Sequence, residues 1–182
     1  MITSERGRSM QHTIEKGFVP ETTELERWME AEEYRTLGME RHATGDFEDA
    51  LGYFRMSLEI YPTAEAHTSL AVTLATLEQW ESAIRHCQCA IELDPDLGNP
   101  YNDMAVYLAE LGRLHDALRL LDKALTARRY DARHYSHYHR GRILEQLIRF
   151  TESRDAYHAA LAIAPEWEPA RRGLTRTLGW LN

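Results

Sequence analysis

"HTSLAVTLATLEQWESAIRHCQCAIELDP", residues His67–Pro95, carries two apolar stripes of helical period separated by one break. Leu70, Ala71 and Leu74 stand at i, i+1 and i+4, which makes one apolar stripe of a helix. Ala83, Cys87, Ala90 and Ile91 make the stripe of a second helix, and the break between the two falls at "LEQW", Leu77–Trp80. Pro95 ends the second helix, because a proline there loses a backbone hydrogen bond and clashes with the preceding turn. Neither helix can bury its stripe alone, so the pair needs neighbours.

The same pattern recurs in "YRTLGMERHATGDFEDALGYFRMSLEIYP" (Tyr34–Pro62), "YNDMAVYLAELGRLHDALRLLDKALTARR" (Tyr101–Arg129) and "HYHRGRILEQLIRFTESRDAYHAALAIAP" (His137–Pro165). The spacing is about 34 residues, a period that marks stacked helical hairpins. Small residues hold the places where paired helices must approach: Gly38, Ala71, Ala105 and Gly141 in the first helices, Ala50, Ala83, Ala117 and Ser153 in the second. Gly45 and Gly112 suit the ends of first helices, and Pro62 and Pro165 repeat the stop seen at Pro95.

These positions resemble the tetratricopeptide repeat, whose signature runs W-x2-L-G-x2-Y, then A-x3-F, A and P. Tyr34, Leu37, Gly38, Ala50, Phe54, Ser57 and Pro62 carry it in the first unit. Leu70, Ala71, Leu74, Ala83, Cys87, Ala90 and Pro95 carry it in the second. Tyr101, Met104, Ala105, Leu108, Ala117, Leu121 and Ala124 carry it in the third, with Arg129 in place of proline. In the fourth, His137, Gly141, Leu144, Ser153, Tyr157, Ala160 and Pro165 stand at those places, while Arg140 falls on the inter-helix face. Burial there would require a carboxylate partner, with Asp131 and Glu145 as candidates, unless the two residues inserted before the fourth unit turn the helix so that the side chain escapes. The resemblance implies an all-α, right-handed superhelix of antiparallel helix pairs, an α-solenoid of four repeats at about 31–63, 64–97, 98–133 and 134–167.

The array needs polar ends. "EWEPARRGLTRTLGWLN" places Leu174, Leu178 and Leu181 on one stripe, so residues 168–182 are expected to form a capping helix. "TELE", Thr23–Glu26, reads as a capping box that starts a helix running towards Ala43. Leu25, Trp28 and Met29 lie in phase with Glu32, Thr36 and Met39, the inner-face stripe, so Trp28 is a candidate for packing, binding or homodimer contact. Residues 1–22 are polar and expected to be a mobile N-terminal segment ahead of a domain at 23–182.

By the resemblance, the first helices line a concave groove that captures a peptide segment, extended or helical, of a partner protein. Carried over, the groove residues are Arg35 and Met39, Ser69 and Val72, Asn102, Asp103 and Val106, then Tyr135, Tyr138, His139 and Arg142, with Arg172 and Arg176 from the cap. Some family members hold an acidic C-terminus in a clamp of Lys, Asn and Arg. Here only Arg35 matches, and Met39, Ser69, Asn99 and Asp103 occupy the other places. The implied function is a non-enzymatic adaptor or scaffold. A small secretion-type or assembly chaperone for one client is the alternative, and an RNA-binding module is the weaker third.

"RRYDARHYSHYHRGR", Arg128–Arg142, is the basic exception in a chain of net charge −8. That acidity argues against nucleic acid and against anionic membrane. His134 and His137 share a helix face, but His139 points away and no Cys, Asp or Glu completes a metal set. No G-x-S-x-G, phosphate loop or H-E-x-x-H is present, so neither an enzyme nor a cofactor is expected. Cys87 and Cys89 at i and i+2 point apart, which disfavours a disulfide and suits a reducing, cytoplasmic setting.

Overall fold

The structure, a computed structural model, describes residues 23–181. The expectation for residues 1–22 lies outside them. Among the described residues there are nine helices: α1 (Glu24–Thr44), α2 (Phe47–Ile60), α3 (Ala64–Thr76), α4 (Trp80–Leu93), α5 (Asn99–Glu110), α6 (Leu114–Thr126), α7 (Arg133–Gln146), α8 (Phe150–Ile163) and α9 (Glu168–Leu181). Consecutive helices pack as pairs, each pair packs on the next, and α9 lies against α8 and α7. No described helix is long and apolar enough to cross a membrane.

Each pairing follows from a small residue meeting a large one. Ala50, Ala71, Ala83, Ala105, Ala117 and Ser153 are fully buried, beside Phe54, Cys87, Leu121 and Tyr157. One core runs without interruption from Ala50 to Ala156. The helix stops also fall where proline demands, with α2, α4 and α8 ending two residues before Pro62, Pro95 and Pro165.

The turns inside the pairs are left-handed at Gly45 and Gly112, and equally at Glu78 and Ile148. A β-branched residue in that region is strained, by roughly 1–2 kcal/mol. Ile148 bears this at a place where its side chain is 74% exposed and gains little from packing. At the N-terminus Thr23 and Glu26 form the expected capping box, the Glu26 amide donating to Thr23 Oγ1 at 3.2 Å and the Thr23 amide to Glu26 Oε2 at 2.7 Å. The helix continues unbroken through Glu30.

The structure corrects three expectations. Arg140 pairs with Asp122 of α6, neither with Asp131 nor with Glu145, because the fourth unit turns it towards the preceding second helix. In α9 the buried face is Ala170, Gly173 and Thr177, while Leu178 and Leu181 stay exposed, since only small residues fit against Tyr157. Finally, Leu37 is 38% exposed although Leu70, at the same place in the second unit, is buried, because among the described residues no earlier pair covers the first one.

Between α3 and α4, His67 and His86 stack with ring centroids 5.2 Å apart and share an Nδ1–Nδ1 hydrogen bond of 2.9 Å. Burial, then the neighbouring His86, pushes His67 down to about 4, and burial with Arg85 and Arg55 lowers His86. A depressed histidine resists protonation in the fold, so its contribution to stability is intact above the unfolded value, about 6.5, and is lost as pH falls towards 4. The urea midpoint of the wild type should therefore drop across that window. His67→Gln should drop less, and equal slopes in the two proteins would disprove the assignment.

Candidate functional site

The first helices of the first three pairs present their inner faces to one concave groove of about 540 Å³. Arg35, Met39 and His42 come from α1, Glu65, Thr68, Ser69 and Val72 from α3, and Asn99 and Asp103 from α5. Residues one and two turns apart on a helix share a face, which is why Arg35, Met39 and His42, or Glu65, Thr68 and Val72, arrive together. Met39 and Val72 are exposed, and Phe54 and Leu97 add apolar wall.

Most charges along this groove are already engaged. Arg35 donates from Nε to Glu32 Oε2 at 2.9 Å and from Nη1 to Met39 Sδ at 2.8 Å. Glu65 accepts from Arg129 Nη2 at 2.6 Å, and His42 Nδ1 meets Thr73 Oγ1 at 2.9 Å. Asp103 differs. Its carboxyl opens to the groove and is otherwise enclosed by protein; its one hydrogen bond there comes from Asn102 Nδ2 at 3.1 Å. Burial drives it up to about 6, against a smaller lowering by Asn102.

Asn102 is not the groove contact expected of it. The residue is 7% exposed, and its Oδ1 accepts from Ser136 Oγ at 2.9 Å, with Ser136 Oγ 3.0 Å from the Tyr130 hydroxyl. It is a strut between α5 and α7 that also holds the Asp103 carboxylate.

Tyr135, Tyr138, His139 and Arg142 do lie together, but as a packed cluster. Trp167, from the turn before α9, sits edge-on to His134, Tyr135 and Tyr138, each at 4.9 Å. Tyr138 is half-buried against Tyr157, and Arg142 stands 5.9 Å over the Tyr138 ring. His139 turns to Val106 and Ala109, and burial, with Arg142 adding to it, pushes it down to about 4. Trp167 was missed because "PEWEP" reads as a linker; a lone tryptophan between two prolines was the available signal. Of the cap residues, Arg172 pairs with Glu168 and Arg176 with Glu145.

The remaining arginines of the basic stretch are engaged as well. Arg128 faces Asp96, Arg129 bridges Glu65 and Asp94, and Arg133 donates to the carbonyls of Leu125, Ala127 and Tyr130. Trp28, Met29, Glu32, Glu33, Thr36 and Leu37 line a second hollow along α1. No group of three His, Cys, Asp or Glu suited to a metal occurs among the described residues. Cys87 and Cys89 are free thiols, and burial raises Cys87 far above its ordinary value.

Comparison with known proteins agrees with this architecture. Sperm-associated antigen 1 of Mus musculus is 33% identical over 103 residues, 57% of this chain and 11% of that protein. The Rattus norvegicus protein of the same name is 37% identical over 73 residues, 40% of this chain and 8% of its own. The chain thus spans about a tenth of the length of these relatives. Among solved structures, pilF of Pseudomonas aeruginosa aligns with a TM-score of 0.79 at 23% identity, over 84% of this chain and 69% of that one. PilW, a type IV pilus biogenesis factor, gives 0.76 at 22% over 81% and 68%, and YrrB, a protein with an unusual peptide-binding site, gives 0.62 at 17% over 81% and 75%. At such identities the likeness is one of fold. Residues 64–97 and 102–166 match the tetratricopeptide repeat itself, and with the helix pairs and their small-to-large packing this places the chain in the tetratricopeptide repeat family.

Proposed function

We propose that this protein is a non-enzymatic adaptor that takes a peptide segment of another protein into the groove between α1, α3 and α5. The observation that carries the reading is the open, apolar-walled concavity of about 540 Å³ at the inner faces of three successive first helices. Concave, mostly apolar surfaces with a few polar groups are where ligands gain area without new ordering of the protein. The expected centre of binding moves accordingly, from Tyr138 and Arg142 towards Met39, Ser69, Val72 and Asp103. A client-specific chaperone would use the same surface. RNA is disfavoured because Arg128, Arg129 and Arg140 already face carboxylates.

Selection from a phage-displayed library of random dodecapeptides tests the reading. Met39→Glu and Val72→Glu, both at exposed helix positions, should weaken the selected peptides at least tenfold while leaving the thermal transition in place. Tyr138→Ala with Arg142→Ala should leave binding within about twofold. If no peptide is retained, or if the two groove variants bind as well as wild type, the groove is not the seat.

A further inference from the structure

Asp103 is the one acidic group of the groove left without a cationic partner among the described residues. A carboxylate removed from bulk water and held by a single neutral amide is costly, and such a cost persists where a ligand relieves it. The other charges near it do not serve. Arg35 and His42 on α1 are bound to Glu32 and Thr73, and Glu65 on α3 is bound to Arg129. From the remaining sides Cys87 of α4, Tyr107 of its own helix and Tyr130 of the turn before α7 lie within reach of the Asp103 charge, and burial, with that charge adding to it, raises all three. None of them supplies a positive charge.

We infer that the groove recognises a peptide bearing a lysine or arginine between apolar side chains, the cation seated on Asp103 and the apolar residues on Met39, Val72 and Leu97. This rests on the groove being the peptide seat. It inverts the charge preference of an acidic-tail clamp. A carboxylate brought to the same floor would face Asp103 at short range, and an apolar residue alone would leave the carboxylate unpaired. Charge-assisted hydrogen bonds to an enclosed carboxylate are among the stronger polar contacts available to a short peptide.

The test uses the library-selected peptides and one synthetic peptide of their consensus, made also with its basic residue changed to glutamine. Lys or Arg should be enriched at one position between apolar residues. Asp103→Asn, isosteric and uncharged, should weaken the basic peptide at least tenfold yet hardly change binding of the glutamine peptide. Wild-type affinity for the basic peptide should also fall between pH 7.5 and pH 5, as the carboxyl takes up a proton, and the Asp103→Asn protein should lack that fall. Binders that depend on Met39 but show no basic preference, or that ignore Asp103→Asn, overturn the charge assignment and leave groove capture standing. Absence of any Met39-dependent binder overturns both.

Discussion

Tyr157→Ala should lower unfolding free energy by about 3–5 kcal/mol, the range for deleting a large buried aromatic. The ring is fully buried on α8, wedged between Gly141 of α7 and Gly173 of α9. A Cβ built on Gly141 would come within 2.7 Å of the ring and one on Gly173 within 2.5 Å, so both glycines exist in relation to this side chain. Because the two facing residues have no side chains, neither can fill the space left behind. The cap α9 depends on the same contact, through Ala170, Gly173 and Thr177. Urea titration followed by circular dichroism would read the loss, with part of the helical signal leaving early as α9 undocks. Tyr157→Phe should cost far less, since the ring stays seated and only the hydroxyl's contacts with Arg176 Nη2, at 3.4 Å, and with Glu145 are lost. A loss under about 1 kcal/mol for the alanine variant would mean that the cap is not seated on this ring.

The second large effect is expected at Gly98→Ala. The backbone at Gly98 is an ordinary right-handed one, φ −81°, so alanine would be harmless if conformation alone mattered. The obstacle is Tyr130, whose Cβ and Cγ occupy the space a methyl group needs. Here the turns after α4 and α6 lie side by side in a short parallel bridge between Leu97 and Arg129, the Gly98 amide donating to the Arg129 carbonyl at 3.1 Å and the Arg129 amide to the Asp96 carbonyl at 2.9 Å. Displacing Tyr130 would also pull its hydroxyl from Ser136 and loosen Asn102. Overpacking of this kind costs roughly 1–3 kcal/mol, and more where backbone must shift. The variant should therefore unfold at lower urea, and trimming the ring with Tyr130→Ala should not restore it, because the Tyr130 Cβ remains. Full restoration would locate the clash in the ring alone.

The two predictions differ in how far they could be read from sequence. Gly141 and Tyr157 occupy repeat positions, so their meeting follows once the helices are paired. Gly98 and Tyr130 lie in turns, outside the periodic pattern, and in the third unit Arg129 replaces the proline that ends the others. Its backbone joins the neighbouring turn, and its side chain reaches Glu65 and Asp94. The groove shows the same division. Arg35, Met39, Ser69, Val72 and Asp103 were legible because inner-face positions recur with the repeat. Asn102 was misjudged because its neighbour in space, Ser136, lies a full repeat away, and Tyr138 because Trp167 folds back from the cap.

The sequence alone determined the helix pairs, their stops and the alternation of small and large residues, since each is local or recurs at a constant interval and needs no knowledge of distant partners. Only the tertiary structure decided which side chains along the inner face stay free. Hydrogen bonds and ion pairs between Arg35 and Glu32, Arg129 and Glu65, or Asn102 and Ser136 depend on ångström-scale approach, which periodicity does not encode. That approach left Asp103 facing the groove without a counter-charge, and the chemistry proposed for the partner follows from it.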